Sequence, residues 1–126
     1  MKLNLDLSAG TNVVTAHGAG FIAINGQRHS TSLIVGPQLL DTAWGKDRFE
    51  SLTLDDFAAL AAHGAVITLV GTGQRQRFPS PQLLRPLIEA QRGFEIMDTA
   101  AACRTYNILA AEGRKVIAAM VIESAA

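Results

Sequence analysis

The residues best equipped for chemistry lie together between Phe94 and Val116, in FEIMDTAAACRTYNILAAEGRKV. Asp98 and Thr99 follow a short apolar run. Cys103, Arg104, Tyr106 and Asn107 then fall within a turn and a half of a helix otherwise built from small residues. Small side chains let a helix lie close to its neighbours, so polar ones planted among them mark either a site or a packing seam. Cys103 is the only thiol. Near a helix amino terminus and beside Arg104, thiolate would be favoured. A nucleophile also needs a base, and no spacing brings His17, His29 or His63 to it. The competing reading is a small buried hydrophobe against a sheet. With no cysteine pair and no two histidines at helical spacing, no metal site is expected. Asp98 or Thr99 reads as a helix cap, and Glu112 as the partner of Arg114 or Arg104. Ala102, Tyr106 and Leu109 share one stripe of the helix, and Cys103, Asn107 and Ala110 share the next. Asn107 then sits at the edge of a buried face, where its amide could satisfy a backbone group nearby.

A second cluster, Gly71-Thr72-Gly73, ends the apolar run 65–70. In an open parallel sheet, ligands collect outside the carboxyl ends of the strands. If the strands ending at Val70 and Met97 run parallel, Gly71–Gly73 and Asp98-Thr99 share one rim. The helix after Asp98 would point free N–H groups at that rim, with Arg75, Arg77 and Arg104 nearby, making a small anion pocket. The rival reading is a turn and a cap: Gly-Thr-Gly alone lacks the phosphate-loop lysine and the longer glycine fingerprint. The candidate binding residues are therefore Gly71, Thr72, Gly73, Asp98, Thr99, Arg104, Tyr106 and Asn107. No catalytic residue and no cofactor is assigned.

The elements that must position these residues can be read in order. Val13-Val14, Phe21-Ile22 and Leu33–Val35 are short apolar runs, and Asn25-Gly26 is a strong hairpin signal because both residues tolerate positive φ. Trp44 sits in a turn-rich stretch as an anchor. Thr53 caps a first helix with Asp55-Asp56 in its first turn, and Gly64 stops it. Residues 65–70 form a strand buried on both faces. Ser80-Pro81 opens a second helix that runs to Arg92 and stops at Gly93. Glu95–Met97 is a strand, the third helix ends at Glu112-Gly113, and Lys115–Ile122 is the last strand. This βαβαβ order requires a mainly parallel sheet with right-handed crossovers, to which the N-terminal hairpins add an antiparallel layer.

The 126 residues suit one domain with its own core. Formal net charge is zero, so nothing in the bulk charge suggests nucleic acid as a partner. The basic residues are skewed to the second half, chiefly as arginine. A single cysteine rules out an intrachain disulfide. The first residues do not read as a signal or transit leader, so none is expected, and no apolar run reaches the ~18 residues of a membrane span. A cytoplasmic location is expected.

The chain resembles the small α/β family catalogued as domain of unknown function 498, the Mth938-like domains. The resemblance rests on His17-Gly18-Ala19-Gly20-Phe21, Ile24-Asn25-Gly26, Ser32-Leu33-Ile34, Trp44, Gly71-Thr72-Gly73, and the long run from Met97-Asp98-Thr99 through Ala102–Leu109 to Glu112-Gly113-Arg114. It implies a single three-layer α/β domain: a central mixed, mostly parallel sheet, with helices on one side and an N-terminal antiparallel β layer. It implies no accepted enzyme activity. Mitochondrial complex I assembly factor 3 is among the family's members, so the resemblance implies a non-enzymatic interaction or assembly module with a protein partner. The alternative is a small-molecule or anion site, or an enzyme, at the rim of Gly71–Gly73 and Asp98–Arg104.

Overall fold

The computed structural model describes residues 10–124. Eight strands and three α-helices occur among them: β1 (Val14–Gly18), β2 (Phe21–Ile24), β3 (Gln27–His29), β4 (Leu33–Gly36), β5 (Leu39–Asp41), α1 (Leu54–Ala61), β6 (Ile67–Gly71), α2 (Pro81–Glu89), β7 (Gly93–Met97), α3 (Thr99–Ala111) and β8 (Val116–Met120). Strands β1, β2 and β3 form an antiparallel sheet. The larger sheet has the order β5-β4-β8-β6-β7. In it β6 runs parallel to both β7 and β8, while β4 is antiparallel to β8 and β5. The expected parallel pair is present, with Gly71 opposite Met97. The sheet is mixed, as expected: β4 alone runs against the other four strands, and its two antiparallel pairings come from the hairpin of β4 and β5, which joins the sheet at β8.

The hairpin between β2 and β3 turns at Asn25 and Gly26, with φ of 53° and 86°. Alternate residues of the central strands feed two cores. Leu33, Val35, Leu69, Ala118 and Met120 pack with Ala102, Cys103 and Tyr106 of α3 and with Val14, Ile22 and Ile24 of the small sheet. Ile34, Val70, Ile117 and Ala119 pack on the other face with Phe57 and Leu60 of α1, Leu87 of α2 and Trp44. Thus α1 and α2 cover one face, and α3 shares the opposite face with the β layer. The strand order explains this division. The chain steps outward from β6 to β7 and back past β6 to β8, so two right-handed crossovers must lie on opposite faces.

Helix α1 begins with a reciprocal capping box: Thr53 Oγ1 accepts from Asp56 N, and the Asp56 carboxylate accepts from Thr53 N at 2.8 Å. Asp56 also holds Lys46 at 2.9 Å, and its carbonyl accepts from Trp44 Nε1 at 2.8 Å, which seats the tryptophan. Two of the three expected glycine stops are placed differently. Helix α3 does end at Gly113, which has φ of 77° and closes a Schellman turn through Arg114 N–H to Leu109 O at 3.0 Å. Helix α2 ends at Glu89, short of Arg92, and the left-handed position of its Schellman turn is Gln91, φ 57°. Gly93 is instead the first residue of β7, where a Cβ would sit 3.3 Å from Val66 O. Helix α1 ends at Ala61, capped by Ala62 in right-handed backbone, and Gly64 lies beyond the cap without positive φ.

Candidate functional site

Three parallel strands, β7, β6 and β8, end on one rim. Backbone bonds cross-link their ends: Thr72 N–H to Met97 O at 2.8 Å, Val121 N–H to Gly71 O at 2.9 Å, and Thr99 N–H to Gly73 O at 2.9 Å. Thr99 ties the rim together. Its hydroxyl donates to Val121 O at 2.8 Å and accepts from Gly73 N–H at 2.8 Å. Thr72 is fully buried; its hydroxyl donates to Arg75 O at 2.7 Å and accepts from Arg77 N–H at 3.1 Å, folding the following loop back on the strand end. Gly71 is required by close approach. A Cβ there would meet Thr99 Cα at 3.0 Å and Ala102 Cβ at 3.2 Å, so the bare backbone is what lets α3 settle on β6. Gly73 has φ of 102°, and a Cβ on it would collide with Glu123 and Arg77.

Asp98 is the N-cap of α3, its carboxylate accepting from Ala101 N–H at 2.8 Å. That negative charge occupies the position an anion would take at the helix dipole. Arg104 is solvent-exposed, and so is Arg75. Arg77 is engaged by Glu123 at 2.8 Å and Glu50 at 2.9 Å, lies over the Phe49 ring at 4.8 Å, and so arrives at the rim already neutralised.

Beside this rim is a cavity of about 270 Å3. Of the eight residues singled out in the sequence, Gly73 and Thr99 line it. Gly71, Thr72 and Asp98 brace the rim from behind. The remaining wall comes from residues outside that set: the β1–β2 turn, His17–Ile22, together with Gln74, Ala100 and Val121–Glu123. The turn sits there because the small sheet folds over α3, a tertiary event with no local signal beyond the glycines of His17-Gly18-Ala19-Gly20. Phe21 packs over Gly18, and the Arg28 guanidinium lies 3.7 Å above its ring. The cavity wall is largely apolar, with the Glu123 carboxylate and His17 as its ionisable groups.

Tyr106 and Asn107 face elsewhere. The buried Tyr106 hydroxyl donates to Asn12 O at 2.7 Å. Asn107 acts as a surrogate strand: its Oδ1 accepts from Val14 N–H at 2.9 Å and its Nδ2 donates to Val14 O at 2.8 Å. The side chain thus fills the free edge of β1, in line with the edge role its spacing suggested. Asn12 extends the clasp, donating through Nδ2 to Gly36 O and Leu39 O and accepting from Asn25 Nδ2. Cys103 is fully buried. Burial pushes its thiol up to about 12, outweighing the opposing pull of the Arg104 charge, so the group is a neutral thiol at physiological pH. Burial raises the Tyr106 hydroxyl likewise. Glu112 lies 3.8 Å from Arg114, a loose and exposed pair.

Against known proteins, residues 14–121 match the family model described as "Protein of unknown function (DUF498/DUF598)". The chain belongs to this family. One relative, NADH dehydrogenase [ubiquinone] 1 alpha subcomplex assembly factor 3 of Bos taurus, is 31% identical over 104 residues, 81% of this chain and 55% of its own length. The chain therefore spans about half the length of that assembly factor. Another family relative, the "13 kDa major membrane protein" of Francisella tularensis subsp. holarctica, is 27% identical over 96 residues, 76% of this chain and 78% of its own. A crystal structure of a Bordetella parapertussis protein superposes with a TM-score of 0.83 at 39% identity, covering 90% of this chain and 98% of that one. Among the described residues, no helix is long and apolar enough to cross a membrane.

Proposed function

We propose that the chain is a non-enzymatic protein-interaction module that assists assembly of a larger complex, as the name of the Bos taurus relative says of that protein. One observation carries this reading. Four polar residues of the 98–107 run spend their hydrogen-bonding capacity on the chain's own backbone: Asp98 on Ala101, Thr99 on Gly73 and Val121, Tyr106 on Asn12, Asn107 on Val14. Groups so consumed position a fold rather than a substrate. The suggested cargo is a respiratory complex, and the suggested location is the cytoplasm. The test is in-cell cross-linking of the tagged chain followed by reconstitution with the purified partner. A 1:1 complex re-formed from pure components supports the reading. Cross-links that cannot be reconstituted, or turnover of a substrate by the chain alone, would overturn it. Fractionation of the same cells tests the location, since the name of the Francisella relative places that protein at a membrane.

A second reading has one observation in its favour, the cavity beside Gly73 and Thr99. Its apolar wall suits a small, mostly apolar molecule better than the anion suggested by the arginines. A thermal-shift screen over phosphates, nucleotides and small carboxylates, run beside small neutral apolar molecules, separates the two chemistries. A shift with any of the anions that Arg104→Ala abolishes would restore the anion pocket.

A further inference from the structure

The opposite end of the larger sheet carries a second concavity, of about 590 Å3. It lies where α3 ends and β8 begins, between the β4–β5 turn and the segment that leads into β6. Its floor is aliphatic: Leu39, Ala65, Ala110, Val116 and Ile117 all contribute. Every ionisable residue in its wall is basic, namely His63, Arg114 and Lys115. The two cations stand on fixed backbone. Arg114 N–H closes the Schellman turn, and Lys115 O accepts from both Val66 N–H at 2.9 Å and Ile67 N–H at 3.1 Å. The nearest counter-charge is weak, since Glu112 and Arg114 are 3.8 Å apart and half exposed. Among the described residues no carboxylate forms an ion pair with Lys115.

We infer that this groove docks a short acidic, aliphatic segment of a partner protein. The inference rests on the interaction-module reading and names its surface. Charge complementarity selects the occupant: an apolar floor takes aliphatic side chains, and a rim of exposed, at most loosely paired cations takes carboxylates. The volume lies within the roughly 300–1,000 Å3 of typical binding clefts. A nucleic acid would need more cations and an extended aromatic stacking surface, and the groove wall holds no phenylalanine, tyrosine or tryptophan. A bilayer would need a protruding apolar face rather than a recessed one.

The test uses the purified full chain and three labelled eight-residue peptides: leucine alternating with aspartate, leucine alternating with lysine, and all aspartate. Fluorescence anisotropy should show saturable binding of the leucine–aspartate peptide alone. Its affinity should fall at least about tenfold in the Arg114→Glu/Lys115→Glu variant and stay unchanged in Arg75→Glu/Arg85→Glu. Both variants alter exposed side chains, and equal melting temperatures confirm the comparison. On the unaltered chain, amide shifts should change at Ala110, Val116 and Ile117. The proposal is overturned by equal binding of the lysine peptide or by indifference to the double charge reversal. Absence of saturable leucine–aspartate binding overturns it too, as does binding of anionic vesicles or single-stranded DNA in its place. Failure of the peptide while the cross-linked partner still reconstitutes removes this groove and leaves the interaction reading standing. Failure of both removes the reading itself.

Discussion

Asn107→Ala is the substitution with the clearest expected outcome. The side chain serves both backbone groups of Val14, accepting from its N–H at 2.9 Å and donating to its carbonyl at 2.8 Å, and Val14 is only 6% exposed. Each bond is worth about 1 kcal/mol net, and a buried group left unpaired costs about 1–3 kcal/mol. Asn107 itself is half-buried, so water can reach one of the two groups after truncation. The expected destabilisation is therefore about 2–3 kcal/mol, or a fall in Tm of roughly 6–12 °C. Urea unfolding measures the free energy, and hydrogen exchange at Val14 and Ile24 reports whether the small sheet loosens first. The Asn107→Asp variant sharpens the test. Its carboxylate keeps the acceptor for Val14 N–H but faces the Val14 carbonyl without a proton. Its folded-state pKa should lie above the ordinary carboxylate value of about 4. A raised folded pKa means the folded state holds the proton longer, so stability should be greatest at low pH and fall as pH rises through that range. A cost below about 0.5 kcal/mol for Asn107→Ala, the range of an ordinary surface change, would refute the clasp.

Other outcomes follow from the same geometry. Cys103→Ser should destabilise by about 1–3 kcal/mol by placing a hydroxyl in an apolar core, and labelling of the native thiol at neutral pH should be slow. With the Cys103 thiol raised from 9.0 to about 12, the unfolded chain loses its proton first. Stability should then decline as pH rises from about 9, less steeply in Cys103→Ala, as pH-dependent unfolding would show. Gly71→Ala should cost about 1–3 kcal/mol because the atoms it meets are the Thr99 backbone and Ala102, which have no room to yield. Arg104→Ala, at an exposed side chain, should lie within about 0.5 kcal/mol of the unaltered chain in the same unfolding assay.

What was legible in the sequence was local or strictly periodic. Asn25-Gly26 specified its turn because few residue pairs accept two positive φ angles. Thr53 and Asp98 specified their helix starts through the hydrogen bonds their side chains make. The apolar run before Gly71 specified a strand buried on both faces, and from it the parallel pairing and the shared rim. Helical spacing also marked Asn107 as an edge residue. What failed was set by tertiary closure. Gln91 takes a left-handed position that glycine usually fills, so Gly93 was mistaken for the stop. The division of helices between the two faces depends on strand order, which no single segment encodes. The β1–β2 turn and Glu123 reach the rim only when the small sheet folds over α3 and Arg77 pairs across 46 positions. Arg104, offered by its sequence proximity to Asp98, is solvent-exposed and does not line the cavity.

The most direct measurement is the affinity of the reconstituted partner for Thr99→Val, Tyr106→Phe and Asn107→Ala, taken at low temperature with each variant verified as folded. If these residues hold the fold and the partner docks elsewhere, all three should bind like the unaltered chain while unfolding earlier in urea. A variant that keeps its native spectrum and loses the partner would contradict this, and would return the 98–107 run to the status of a recognition site.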